Sequence, residues 1–182
     1  MILGKTVYFT DKKEWRTWLA ANHKTEKEIW LVYFLKKSGK PSLAYNDAVD
    51  EALCFGWIDS TVKKIDDVSN ARRFTPRWPN SPLSDMNKER VRRLIQPREM
   101  TPVGLATAGD LSPENLSIPA DILKAFQADE QTWQKFSKFP ESYQRIRIGW
   151  IVEARKRPAE FEKRLKYFLK MTARNKKFGM VQ

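Results

Sequence analysis

Two residue types that build catalytic and metal sites are nearly missing from this chain. Its 182 residues hold one cysteine, Cys54, and one histidine, His23. A Cys/His zinc site, an intrachain disulfide and a triad with a second histidine are therefore excluded. The lone thiol fits a reducing compartment. No apolar run approaches the ~20 residues that a membrane-spanning helix needs. The start, Met1-Ile-Leu-Gly-Lys-Thr6, lacks a basic region followed by an apolar stretch, so no secretory signal is expected and the expected address is the cytoplasm. There is no pair of carboxylates at an instructive spacing, no glycine-rich phosphate loop and no nucleophile elbow. Repeats and low-complexity tracts are absent too. No metal and no cofactor is expected.

Positive charge is what the chain has in excess. Its net charge is +12 and its pI about 9.8, a balance that draws a protein to polyanions or simply gives it a sticky surface. The excess is uneven. Residues 145–182 carry 12 basic and 3 acidic side chains, whereas residues 1–110 carry 19 and 14.

The pattern predicts an α+β fold. Val7-Tyr-Phe9 reads as an edge strand, and Asp11 with Glu14 as a helix start that leads through Trp15, Trp18 and Leu19 to Asn22. His23 falls at that helix end. Glu28–Leu35 is apolar, aromatic and β-branched, which predicts a central strand covered on both faces. After a turn at Lys36–Pro41, a helix runs from Tyr45 to Phe55, with Ala48, Val49, Ala52 and Leu53 inside and Asp47, Asp50 and Glu51 facing out. Gly56 is placed to end it in a left-handed conformation. Cys54, in its last turn, reads as a buried structural thiol.

Trp57–Ile65 alternates, with Trp57, Asp59, Thr61, Lys63 and Ile65 on one side and Ile58, Ser60, Val62 and Lys64 on the other. Asp66–Asn70 turns the chain, and Arg72–Arg77 returns as an antiparallel partner. Pro76, Pro79 and Pro82 make a rigid loop. Ser84 caps a helix to Ile95, and Thr101-Pro102 opens a short one. Residues 109–117 have the composition of a linker. Helices are then expected from Ile118, Asp129, Pro140 and Pro158. The expected organisation is a sheet domain over 1–108, with a small antiparallel or mixed sheet of about four strands. A linker over 109–117 and a C-terminal helical segment over 118–182 packed on the sheet domain complete it.

The candidate site is the stretch Ala52–Ser60 with Ala71–Pro79. Arg73, Thr75 and Arg77 fall on one face of the return strand and its exit, Arg72 is beside them, and Ser84 opens the next helix with free N–H groups. Trp57 and Asp59 share a face of the preceding strand. A tryptophan floor, a carboxylate and an arginine fork suit a small anionic ligand with a flat ring. The alternative is structural: a cross-strand Asp59–Arg pair with Trp57 in the core. Asp59 is also the candidate general acid or base, should burial beside aromatic rings raise its pKa. The basic side chains Arg155, Lys156, Arg157, Lys163, Arg164, Lys166, Lys170 and Arg174 of the last two helices are candidates for polyanion or nucleic-acid contact.

Several segments carry a resemblance. Glu28-Ile-Trp-Leu-Val-Tyr-Phe34, Tyr45–Ser60 with its Cys-Phe-Gly-Trp-Ile-Asp-Ser run, Arg73-Phe-Thr-Pro-Arg77, Asn87–Leu94 and Thr101-Pro-Val-Gly-Leu105 are among them, as are the C-terminal helices around Trp150-Ile151. In these the chain resembles the YdeI/OmpD-associated, or bacteriocin-protection, family. The resemblance implies a bacterial protein that protects against bacteriocins or other antimicrobial stress, without naming a reaction or catalytic residues. The sequence-based expectation is a monomeric or weakly associating non-enzyme that binds an anionic small molecule or protein partner. A polyanion-binding module and a small enzyme built on Asp59 are the alternatives.

Overall fold

The computed structural model describes residues 3–78, 81–112 and 116–179. Pro79 and residues 113–115 of the expected linker lie outside the described residues. The chain divides into two compact units, Met1–Leu83 with Arg90–Leu111, and Ser84–Glu89 with Ser112–Gln182.

The first unit is built on a four-stranded mixed sheet, one of the two arrangements that the pattern allows. Its strands are β1 (Thr6–Val7), β2 (Ile29–Phe34), β3 (Trp57–Lys64) and β4 (Ser69–Pro76), in the order β1-β2-β4-β3. The β1–β2 pair is parallel and the other two pairs are antiparallel. Two helices, α1 (Lys12–Asn22) and α2 (Tyr45–Cys54), supply the apolar surface that covers one sheet face. Asp11 starts α1 by accepting from Lys13 N at 2.7 Å and Glu14 N at 3.3 Å. The core gathers Trp15 and Leu19 of α1, Ala48, Val49, Ala52 and Leu53 of α2, and Ile29, Leu31, Trp57 and Phe74 of the sheet. The Trp15 indole N–H donates to Ala48 O at 3.0 Å, so this fully buried ring also satisfies its one polar atom. Ile29, Trp30 and Leu31 are all buried, and the remaining half of β2 is half-buried.

At the end of α2, Gly56 has φ +73°, the left-handed stop that its sequence position predicts. A short helix, α4 (Pro102–Ala108), closes that end. Thr101 accepts from Gly104 N at 3.1 Å and donates its hydroxyl to Cys54 O at 2.5 Å, so one residue caps both helices. Helix α3 (Asp85–Ile95) starts at Ser84, whose Oγ accepts from Asn87 N at 3.4 Å.

The second unit holds α5 (Ala120–Gln127), α6 (Glu130–Ser137), α7 (Glu141–Val152) and α8 (Pro158–Ala173). Asp129 caps α6 and Pro158 opens α8, both as the sequence indicates. Its own core is largely aromatic, with Phe126, Phe136, Tyr143 and Phe168 edge-to-face or tilted against one another. The segment after α8 returns to this core, because Phe178 N donates to Tyr143 Oη at 3.0 Å.

Candidate functional site

Register decides which of the expected site residues meet. Asp59 pairs with Phe74 and Trp57 with Pro76 across β3 and β4, while Leu31 of β2 pairs with Arg72. Opposed residues share a face, so Trp57, Asp59, Arg72 and Phe74 lie on the helix-covered side. Arg73 and Thr75 take the opposite side. The expected convergence of Trp57 and Asp59 with Arg73 and Arg77 is thus corrected by one residue of strand parity. A bulge between Asp59 and Val62 also reverses the far half of β3, so that Val62, not Thr61 or Lys63, faces as Asp59 does.

Trp57 is 1% exposed, its ring edge-on to Trp18 and its N–H donated to His23 O at 3.2 Å. It is core, not the floor of an open hollow. Asp59 is anchored on one oxygen: Arg72 Nη1 lies 2.6 Å from Oδ2, and the Tyr45 hydroxyl donates to the same oxygen at 3.0 Å. The Arg72 guanidinium also lies over the Tyr45 ring, 4.4 Å from its centroid. Burial, then the Asp59 charge, pushes the Tyr45 phenol above its ordinary value. Tyr33 adds a second phenol nearby, whose buried hydroxyl has no hydrogen-bond partner. Burial pushes it up strongly, with Arg72 opposing and Asp59 adding to the rise. This cluster is a charge-neutral tie between the sheet and the start of α2. Both contacts engage Oδ2, so Asp59 is a paired carboxylate on that oxygen.

On the other side, Arg73 holds Glu28 through Nε at 2.8 Å and Nη2 at 2.5 Å, and Trp30 donates to the same carboxylate at 3.1 Å. Thr75 is half-buried. Arg77, at the strand exit, donates from its side chain to Ser81 O and from its backbone to Gly56 O at 2.9 Å. Burial pulls the Arg77 guanidinium down from its ordinary value. Trp78, beside it, is 84% exposed.

The largest correction concerns α2. Asp50 and Glu51 were expected to face out, and both are buried. Glu51, 1% exposed, accepts from Arg16 at 2.6 Å and Lys12 at 3.2 Å. Asp50 accepts from Arg90 at 2.6 Å and Arg93 at 2.5 Å. From Ala48 to Cys54 every residue is buried, so α2 has no solvent face there and its acids need internal cations. The Cys54 thiol, packed in the same turn, is pushed up to about 11 by burial and by the Glu51 charge. It is a structural thiol, as the sequence indicates.

In the helical unit, Lys156, Arg157, Lys163, Lys166, Lys170 and Arg174 are exposed. Lys163, Lys166, Lys170 and Arg174 fall at helical spacing on one stripe of α8 and its end, and none has an ion-pair partner among the described residues. Arg155 and Arg164 differ. Arg155 forms a two-pronged pair with Asp121 at 2.7 and 3.0 Å. Arg164 is half-buried, donating to Glu160 at 2.9 Å and to Trp150 O at 2.5 Å. Among the described residues no group of His, Cys, Asp and Glu is placed to hold a metal ion, and no helix is long and apolar enough to cross a membrane.

Residues 7–107 match the family model of a domain of unknown function, DUF8412. Residues 115–175 match a second model, described as bacteriocin-protection, YdeI or OmpD-associated. No curated protein and no solved structure matches the chain. The motif segments between Glu28 and Leu105 fall within the first match, and Trp150-Ile151 falls within the second. The chain belongs to the DUF8412 family, and its C-terminal helices match the model of the bacteriocin-protection, YdeI or OmpD-associated family that its sequence resembles.

Proposed function

We propose that the protein protects a bacterial cell against bacteriocin or related antimicrobial stress, and that it does so by non-covalent binding of an anionic small molecule. It acts in the cytoplasm, as a monomer or weak oligomer, and without catalysing a reaction. The observation that carries this reading is the match of residues 115–175 to the protection family, which falls on the unit richest in unpaired positive charge. The sheet unit supports the same division of labour. Its carboxylates Asp50, Glu51, Glu28 and Asp59 are each already held by an arginine. Lys163, Lys166 and Lys170 give the helical unit a field that raises the local concentration of anions and speeds their arrival.

The test is survival. A susceptible strain carrying the chain should withstand a bacteriocin challenge better than the same strain with an empty vector. A variant lacking residues 118–182 should lose the advantage. Equal survival of all three strains rejects the reading.

A further inference from the structure

Four charged side chains are buried among the described residues: Asp50, Glu51, Arg90 and Arg147. The first three are paired with opposite charge. Arg147, on α7, is 3% exposed and has no ion pair among the described residues. Its Nε and Nη2 are buried without any hydrogen-bond partner. Such a group is the exception in folded proteins, where buried charges are paired or bound to a ligand.

The surroundings compensate it only in part. Three rings face the guanidinium: Phe178 at 4.6 Å, Tyr143 at 5.4 Å and Trp150 at 5.9 Å from its carbon to their centroids. Ring faces attract a cation but supply no acceptor for its N–H groups. Burial pulls the guanidinium down from its ordinary value, with the Tyr143 phenol opposing.

Arg147 also lines a pocket of about 480 Å³ in the helical unit. That lies within the range of about 300–1,000 Å³ typical of small-molecule sites. Trp150, Tyr167 and Phe178 form much of its wall, and Lys163 and Arg164 stand in its lining with Glu160. Arg164 is spoken for by Glu160 and by Trp150 O, and its guanidinium lies 4.8 Å from the Trp150 ring centroid. The Trp150 ring is therefore held in place. Phe178 meets Tyr167 edge-to-face at 4.8 Å and Trp150 at 5.7 Å, which fixes the rest of the wall. The site thus combines a preorganised aromatic wall, one buried cation with unused donors, and a second cation, Lys163, free of an ion pair.

We propose that this pocket binds a small amphipathic organic anion, its carboxylate-like head on Arg147 and its flat or aliphatic body against Trp150, Tyr167 and Phe178. This deepens the anion-binding reading above and rests on it. The apolar walls disfavour a fully hydrated ion such as inorganic phosphate, whose shell they could not replace. Glu160 in the lining disfavours a second negative charge.

The test is calorimetric titration of the full chain with 2-naphthoate, decanoate, inorganic phosphate and the neutral 2-naphthol. The expected result is one-to-one binding of naphthoate or decanoate, weakened at least tenfold by Arg147→Met, with phosphate and naphthol bound at least tenfold more weakly than the organic anion. Methionine keeps the length and apolarity of the buried stem, so the variant should stay folded. Tyr167→Ala, at an exposed wall position, gives a second measure and should weaken naphthoate at least threefold. The proposal is overturned if the wild-type chain binds neither organic anion, if naphthol binds as tightly as naphthoate, or if both variants bind like the wild type. Should Arg147→Met fail to fold, Tyr167→Ala and the naphthol comparison decide by the same criteria. Protection is scored separately by survival, so organic-anion binding without protection sinks only the protective role, and protection without such binding sinks only this pocket.

Discussion

Arg16→Met would remove the nearer of the two cations that hold Glu51 in the interior of the sheet unit. The carboxylate would keep Lys12 at 3.2 Å and lose Arg16 at 2.6 Å, together with the bond that Arg16 makes to Glu99 O at 2.7 Å. Burial alone would lower the Arg16 pKa, but hydrogen bonding to Glu51 and the Glu51 charge more than reverse this, so the group is raised. Stripping a partner from a buried ion pair costs about 3–5 kcal/mol. Lys12 remains, and the Arg16 side chain is 36% exposed, so the low end, about 3 kcal/mol, is expected. For a chain of this size that is a fall in Tm of roughly 6–12 °C. Denaturant melts followed by tryptophan fluorescence give the free energy. Adding Glu51→Gln to Arg16→Met should recover part of the loss, since a neutral amide needs no counter-charge, with a coupling of about 2 kcal/mol. A loss below about 1 kcal/mol, or a coupling near zero, would refute the claim that Glu51 is an internal anion dependent on Arg16.

Further outcomes follow from the same structure. With its pKa pushed to about 11, the Cys54 thiol should resist iodoacetamide at pH 8 in the native state and react fully in denaturant. Labelling of the native chain at the rate of a free thiol contradicts that. Gly104→Ala would drive a methyl group into the Cys54 carbonyl, so the helix-propensity gain should be outweighed and stability should fall by about 1–3 kcal/mol. A neutral or stabilising result would show that α4 does not approach α2 so closely. Glu28 is held below its ordinary 4.5 by hydrogen bonds from Arg73 and Trp30, so it stabilises the fold fully above that value and progressively less as pH falls through the depressed pKa. Glu28→Gln should flatten that part of the acid limb of a urea-midpoint against pH curve. An unchanged limb would assign the acid sensitivity elsewhere.

Much of the fold was legible because local chemistry and tertiary structure agree. The Asp11, Thr101 and Asp129 caps, Gly56 and the apolar run of β2 each name their element. The site was less legible, and the reasons are specific. Alternation correctly put Trp57 and Asp59 on one face, but it carries no information on cross-strand register. Asp59 opposes Phe74, so its guanidinium neighbour is Arg72 and not Arg73. The bulge after Asp59 has no glycine to announce it. Asp50 and Glu51 read as solvent-facing because acids in a helix usually are, yet Ala48–Cys54 has apolar residues on more than one side of the helix. That breadth is the available signal for a helix buried all round. The position of Arg147 was half visible: Tyr143 and Trp150 lie at i−4 and i+3 from it, spacing that stacks rings over a helical side chain. Phe178, which completes the cage from beyond α8, has no such signature.

The central claim is that the helical unit holds a buried cation awaiting an anion while Arg72, Arg73 and Arg90 of the sheet unit are already paired with carboxylates. Side-chain ¹H–¹⁵N spectra test this most directly, with the Arg147 Nε–H signal assigned by its loss in Arg147→Met. On titration with 2-naphthoate that signal should shift saturably, while those of Arg72, Arg73 and Arg90 stay fixed. An Arg147 signal that does not respond, or sheet-unit signals that move instead, would contradict the account.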